Sequence, residues 1–286
     1  MKSLEEVRDR YVVVDFQNTV WKSWMVNPGG EELKTSSGYP TGHVFRFLRT
    51  IYKWKRDFSG EVVFCYEGGE KLRYELFPSY KAGRSKDREF DPAPDVRKLV
   101  SYLKCTEIKP VDAEADDAIA AWVHRNPNAR HLILSSDKDL WTCRGPNVDI
   151  VSFQDILTDG DIRKSCEKHY GSPSPKSITL AKALFGDKSD GLPSVPRLMK
   201  KHVAKAVERA ENPDQLFSDL GGMPQQTAEK LRAHEQQIRN MYEVVRLRKE
   251  VRLKKRVREG DPKGLSSFLR EFECTSMLST VPFMTS

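Results

Sequence analysis

The sequence has little of what marks several large classes of protein. No stretch approaches the roughly 18 consecutive apolar residues that cross a bilayer. The opening MKSLEEVRDRYVVVDF sets acids and bases where a signal peptide keeps its apolar run. A soluble, non-secreted protein of the cytoplasm, without membrane contact, is expected. The five cysteines, Cys65, Cys105, Cys143, Cys166 and Cys274, are odd in number and form no CxxC pair, which excludes a disulfide framework and a thiolate zinc site. The six histidines, scattered from His43 to His234, share no metal-ligand spacing. Internal repeats and low-complexity tracts are missing, and 286 residues leave room for one large domain or two modest ones. Net charge is nearly absent from residues 1–190, with 30 bases against 29 acids, whereas residues 191–286 carry 18 against 12. A basic surplus gathered in the last third favours a polyanionic partner through counterion release.

What is present begins with short apolar runs of strand length. YVVVDF (11–16), EVVFCYE (61–67), RHLILSSD (130–137) and VDIVSF (148–153) alternate with helical or loop stretches. Strands this uniformly apolar are buried on both faces, so the order reads as βαβ units and an α/β fold with a mostly parallel central sheet flanked by helices. Between the second and third runs, residues 73–96 are polar, basic and proline-containing, which predicts a surface arch. Ser172, Pro173, Ser174 and Pro175 form a plausible hinge, dividing a core at residues 1–172 from a helix-rich part at 173–286. Helices are expected over 196–210, over 224–250 and in the closing GLSSFLREF. The basic run Arg246 to Arg258 alternates in part, and strand and helix both remain open for it.

In a parallel sheet, functional groups collect at the carboxyl ends of the strands. There stand Asp15, Glu67, Asp137 and Asp139, while the first turn of a helix brings Glu114, Asp116 and Asp117, and a Gly/Asp loop brings Asp187 and Asp190. Singly, each has an ordinary explanation: acids favour helix starts and solvated turns. Together, Asp15, Glu67, Glu114, Asp116, Asp137, Asp139, Asp187 and Asp190 form a self-repelling group on one rim, which implies bound cations. All-oxygen donors suit Mg2+ or Mn2+ rather than zinc, and their number suits a two-metal site for phosphodiester cleavage. Tyr80-Lys81-Ala82-Gly83-Arg84 adds two cations to neutralise a phosphate and an aromatic to stack on an unpaired base; alone it also fits a solvated loop.

VVVD, YEGGEKLR followed by PSYKAGR, EADD, SSDKDL and LFGDKSDGLPSVP occur in the order found in the 5′ nuclease superfamily. The chain resembles that family over about residues 10–275, and is most similar to its stand-alone phage-type members, beside flap endonucleases and the 5′ nuclease domains of bacterial DNA polymerases. The resemblance implies a first metal site from Asp15, Glu67, Glu114 and Asp116. It implies a second from Asp137, Asp139 and Asp187, with Asp116 bridging and Asp117 and Asp190 in or behind the shell. It makes Lys81 and Arg84 the catalytic basic pair, Tyr80 the stacking aromatic and Arg73 a DNA-contacting arginine. Residues 184–210 resemble a helix–hairpin–helix duplex-binding motif in which Lys200, Lys201 and Lys205 would grip phosphates.

Three positions depart from the family. Glu67 replaces the usual Asp, Phe16 replaces a small residue, and Val195 to Met199 replaces the glycine-rich hairpin, which weakens the case for a bound K+ there. The activity implied is 5′–3′ exonuclease and flap endonuclease cleavage of branched, nicked or RNA-primed DNA with two Mg2+, Mn2+ substituting. The setting implied is replication and repair beside a polymerase and a single-strand-binding protein, in a bacterial or phage-infected cell. A PIN-type ribonuclease and a non-catalytic structure-selective DNA-binding protein are the alternatives.

Overall fold

The computed structural model describes residues 9–25, 33–83, 90–152 and 155–286. In chain order the core comprises β1 (Arg10–Asp15), α1 (Phe16–Met25), α2 (Gly42–Phe58), β2 (Glu61–Cys65), α3 (Lys71–Leu76), α4 (Ala93–Ser101), β3 (Lys104–Pro110) and α5 (Ala115–Arg125). It continues through β4 (Arg130–Leu134), β5 (Val148–Ser152), β6 (Asp155–Ile156) and α6 (Asp159–Tyr170). Then follow α7 (Ile178–Phe185), α8 (Lys200–Arg209), α9 (Pro213–Ser218), α10 (Gln225–Ala233), α11 (Glu235–Val245), β7 (Leu253–Glu259), α12 (Pro262–Glu271) and α13 (Val281–Thr285).

The sheet runs β6-β5-β4-β1-β2-β3-β7. Strands β1 to β5 pair in parallel, and the two edge strands run antiparallel. Val12, Val13 and Val14 of the central strand are fully buried, as a strand covered on both faces requires. One apolar cluster lies under α2, α4 and α12, including Phe47, Phe64 and Phe268. A second fills the opposite face beneath α5 and α6. A third, from Leu180 to Val245, holds α7 to α11 together and takes in Tyr80 from the core.

The α/β fold with a mostly parallel sheet agrees with the sequence pattern, with departures in detail. β3 went unread. The segment 224–250 is not one helix: it breaks at His234 into α10 and α11 and ends at Val245. Of the basic run Arg246 to Arg258, left open between strand and helix, the part from Leu253 onward is a strand, β7, at the sheet's edge. Of the expected arch at 73–96, the described residues at either end are built into the fold. They begin within α3 and end within α4, and Arg73, Tyr80, Ala93 and Val96 are buried because each has an ionic or apolar partner inside the fold. Residues 84–89, and with them Arg84, lie outside the described residues, as does Phe153.

Candidate active site

β1 delivers Asp15 to the carboxyl edge of the sheet. Its carboxylate accepts from Ser135 Oγ at 2.8 Å, beyond the end of β4, and from the Asn18 amide at 3.1 Å in the first turn of α1. Burial raises Asp15 to about 6 against these two bonds. Beyond β2, Glu67 accepts from the Ala115 amide at 3.0 Å, across the start of α5. That crossing depends on Gly68, since a Cβ there would stand 1.8 Å from the Pro110 carbonyl oxygen. Crowding by surrounding protein, then Glu114, raises Glu67 to about 7. The Ala115 amide and Lys81 draw it back only in part.

α5 begins in a capping box in which the Asp117 carboxylate accepts from the Glu114 amide at 3.2 Å. Glu114 is buried and receives Lys81 Nζ, the Tyr80 hydroxyl at 3.2 Å and the Arg73 guanidinium at 3.1 Å. Asp116 turns the other way; burial, then Glu114 and Asp117, push its carboxyl well above the ordinary range. Asp137 follows β4, its amide bonded to Ser135 Oγ at 3.1 Å and its carboxylate accepting the Asp139 amide at 2.9 Å.

Asp15, Glu67, Glu114, Asp116 and Asp137 line one cavity of about 410 Å³ together with Lys81. Its opposite wall is one face of α1, with Asn18, Trp21, Lys22 and Met25. Lys81 has a left-handed backbone, φ 55°, and its amide donates to the Asp190 carbonyl at 2.9 Å. That conformation costs a side-chain-bearing residue roughly 1–2 kcal/mol and is often found where a functional group must be aimed.

Asp139 and Asp187 are brought together as well, but by the chain itself. Lys182 Nζ bridges them at 2.5 Å and 2.8 Å. Asp139 is held at about 6, since burial and Asp137 outweigh the ammonium. Asp187 falls to about 2 because Lys182 and Ser189 overcome its lesser burial. Among the described residues no three acid, histidine or cysteine side chains close into a ready-made metal seat. The bonds to Ser135, the Ala115 amide, Lys81 and Lys182 hold the carboxylates in their separate positions.

The structure corrects other roles. Arg73 is 1% exposed and forks onto Asp117, so it is a structural cation and does not reach DNA. Tyr80 is 4% exposed, with its hydroxyl on Glu114, and presents no ring to a base. Asp117 is fully buried, and its oxygens are taken by Arg73 and the Glu114 and Arg248 amides, so it braces the site rather than facing it. Asp190 is buried behind Lys81. Lys201 and Lys205 are exposed on α8, whereas Lys200 donates back to the His169 carbonyl. In the preceding loop Arg197 takes φ 52°, a left-handed turn of the kind a hairpin glycine supplies. Lys182, Ser135 and Trp21 were not singled out in the sequence. Lys182 alone left a trace, as a cation inside the otherwise apolar ITLAKALF.

A carboxyl that titrates higher in the fold than in the unfolded chain favours the fold at low pH and loses that contribution as pH rises through its folded value. In chelator the melting temperature is therefore expected to fall between about pH 4 and about pH 7, the window of Asp15, Asp139 and Glu67. Asp187 acts in the opposite sense, but only between about 4 and about 2. A melting temperature flat or rising across the upper window would show that the acids are already compensated.

A parallel sheet whose carboxyl edge gathers acids and a lysine in one cavity places the chain among the α/β nucleases. The family model for the 5′–3′ exonuclease N-terminal resolvase-like domain matches residues 10–171, and that for the 5′–3′ exonuclease C-terminal SAM fold matches residues 173–266. The chain belongs to the 5′–3′ exonuclease family. It is 26% identical over 288 residues to the thermostable DNA polymerase I of Thermus filiformis, covering 96% of this chain and 33% of that protein. It is 29% identical over 216 residues to the 5′–3′ exonuclease of Bacillus subtilis, covering 73% of this chain and 70% of that one. The chain thus spans about a third of the polymerases it matches. In fold it is similar to T5 5′-exonuclease, with a TM-score of 0.63, 16% identity and coverage of 98% and 100%. It is also similar to flap endonuclease-1 of Methanococcus jannaschii, with a TM-score of 0.56, 14% identity and coverage of 97% and 93%.

Proposed function

We propose that this protein is a structure-selective 5′ nuclease, acting as 5′–3′ exonuclease and flap endonuclease on branched, nicked or RNA-primed DNA with two Mg2+, which Mn2+ can replace. One observation carries the reading: five carboxylates from three strand ends and one helix start share a cavity with Lys81. The donor set fits a hard divalent cation, because its ligands are all oxygen and burial and mutual repulsion leave Asp15 and Glu67 short of positive charge. Asp15, Glu67, Glu114 and Asp116 would hold one ion and Asp137, Asp139 and Asp187 the other. When bound, such ions supply a lowered pKa for the attacking water and charge neutralisation at the phosphate.

The chain's own contribution is orientation and charge. Ser135 and the Asn18 amide aim Asp15. Lys81, set by its left-handed backbone, places an ammonium against Glu114 from which it can reach the phosphate and stabilise developing charge. The Leu180 to Val245 cluster gives those residues a core of their own, which supports a duplex-binding part following a division near residue 172, while β7, α12 and α13 beyond it return to the sheet-based part. Exposed Lys201 and Lys205 would grip phosphates without reading sequence. Service beside a replicative polymerase and a single-strand-binding protein, in the cytoplasm of a bacterial or phage-infected cell, fits such an activity. Among the described residues no helix is long and apolar enough to cross a membrane.

An end-labelled flap substrate incubated with Mg2+ or with chelator tests the proposal. Mg2+-dependent release of a product cut near the junction is expected, as is resistance of single-stranded RNA. Cleavage that persists in chelator would remove the metal mechanism. Inertness with both Mg2+ and Mn2+ would favour a non-catalytic binding protein, and preference for the RNA a PIN-type ribonuclease.

A further inference from the structure

On the far side of Glu67 from the acid cavity lies a second cavity of about 370 Å³, between α4 and the β3–β7 edge. Its charge is opposite. β7 pairs antiparallel with β3, setting Lys254 across from Lys109, Arg256 across from Glu107 and Arg258 across from Cys105. Residues directly across a pair share one face of the sheet. Cys105 packs into the cluster beneath α4, so Lys109, Lys254, Arg256 and Arg258 all lie on the α4 side. The ammonium of Lys255 lies over Trp122 on the other face. From α4, Arg97 lays its guanidinium over the rings of Phe16 and Tyr66, 4.9 Å from each centroid.

Among the described residues, the acids lining this cleft are Glu67 at its mouth and Glu107, which is bound to Arg258 at 2.7 Å. Among the described residues Arg97, Lys109, Lys254 and Arg256 make no ion pair. Such an accumulation of like charge without counter-charge is unfavourable in the free protein unless a polyanion visits it. Alternate residues of a strand stand roughly 6.6 Å apart, so Lys254, Arg256 and Arg258 form a regular row of cations, suited to successive phosphates of an extended strand. The row starts at the rim that Glu67 shares with the acid cavity and leads away from it. A row of cations with an aromatic-backed guanidinium binds a single strand without regard to sequence.

We propose that the groove between α4 and β7 receives the backbone of the single strand that leaves the active site on its 5′ side. This rests on the 5′ nuclease reading and adds the path of the displaced tail. The test uses the full chain and fluorescent branched DNAs that carry either no 5′ tail or a tail of roughly ten nucleotides, titrated at several salt concentrations in chelator. With the unaltered protein the tail should raise affinity and steepen the salt dependence. The double variant Lys254→Ala/Arg256→Ala should lose about tenfold on the tailed DNA and flatten its log–log salt slope by about two, one for each phosphate contact removed. Binding and Mg2+-dependent cleavage of the tail-less nicked duplex should not change, which also shows that the variant is folded. Lys254→Gln/Arg256→Gln should behave alike, because the charge is what matters. If the tail favours the unaltered protein and the variants equally, or favours neither, while nicked duplex is still cleaved, the groove assignment falls and the nuclease reading stands. If the unaltered protein cleaves no 5′-ended substrate, the reading beneath it falls instead.

Discussion

Alanine at Asp116 is expected to abolish cleavage, by roughly a thousandfold or more, while leaving affinity for branched DNA unchanged or improved. Asp116 faces the shared cavity and is pressed by burial, by Glu114 and by Asp117 into holding its proton. Removing it deletes a central oxygen donor and at the same time one of the charges that repel a phosphate. The two effects separate catalysis from binding in a way that misfolding does not. In chelator near neutral pH the variant should also melt higher than the parent, since the fold no longer confines that carboxylate. Asp137→Ala should match it in lost cleavage but not in stability, because Asp137 is exposed. Near-normal Mg2+-dependent turnover in Asp116→Ala, measured on the same flap, would falsify the site.

The largest loss of stability is expected from Arg73→Leu. Arg73 and Asp117 are 1% and 0% exposed. The guanidinium donates to both Asp117 oxygens, at 2.5 Å and 2.9 Å, and to the Val244 carbonyl at 2.9 Å, with Glu114 at 3.1 Å. Asp117 also takes the Arg248 amide at 2.9 Å. Truncating one member of a buried ionic group strands the others, at about 3–5 kcal/mol, which in a chain of this size lowers the melting temperature by roughly 10 °C. Lysine should not restore it, lacking the planar fork. The double variant Arg73→Leu/Asp117→Leu should be less damaged than the sum of the two singles. A single-variant loss under about 1 kcal/mol would mean that water reaches the stranded acids and that the triad is not sealed.

Four of the five parallel strands were legible because burial on both faces leaves an unbroken apolar run, as in Val12 to Val14 or Leu132 to Leu134. β3 escaped because KCTEIKP borders the sheet's outer strand: Lys104 and Lys109 are exposed and Glu107 is half-buried, so three charges interrupt its apolar residues. The acids were legible by their place after strands and at a helix start. What they touch was not. Sequence shows that Arg73 and Tyr80 are polar and close to Lys81, but only the packing of α3 against α5 and α11 turns them inward. Lys182 was hidden for the converse reason, being a single charge in an apolar helix whose partners are Asp139, brought from beyond β4, and Asp187, in the loop just after the helix. Arg97 and the β7 cations become neighbours only through the register of β7 on β3.

The bond from the Lys81 amide to the Asp190 carbonyl reaches beyond local geometry. It joins the ammonium of the sheet-based half to a loop of the helical half, and Tyr80 beside it is sunk in the helical half's apolar interior. Without that bond the acids on the β1, β2 and β4 ends and on α5 keep their own anchors, whereas the lysine loses its mooring. On the proposed reading, in which the helical part seats the duplex and Lys81 serves the cut, a mis-seated duplex would also be a mis-aimed ammonium.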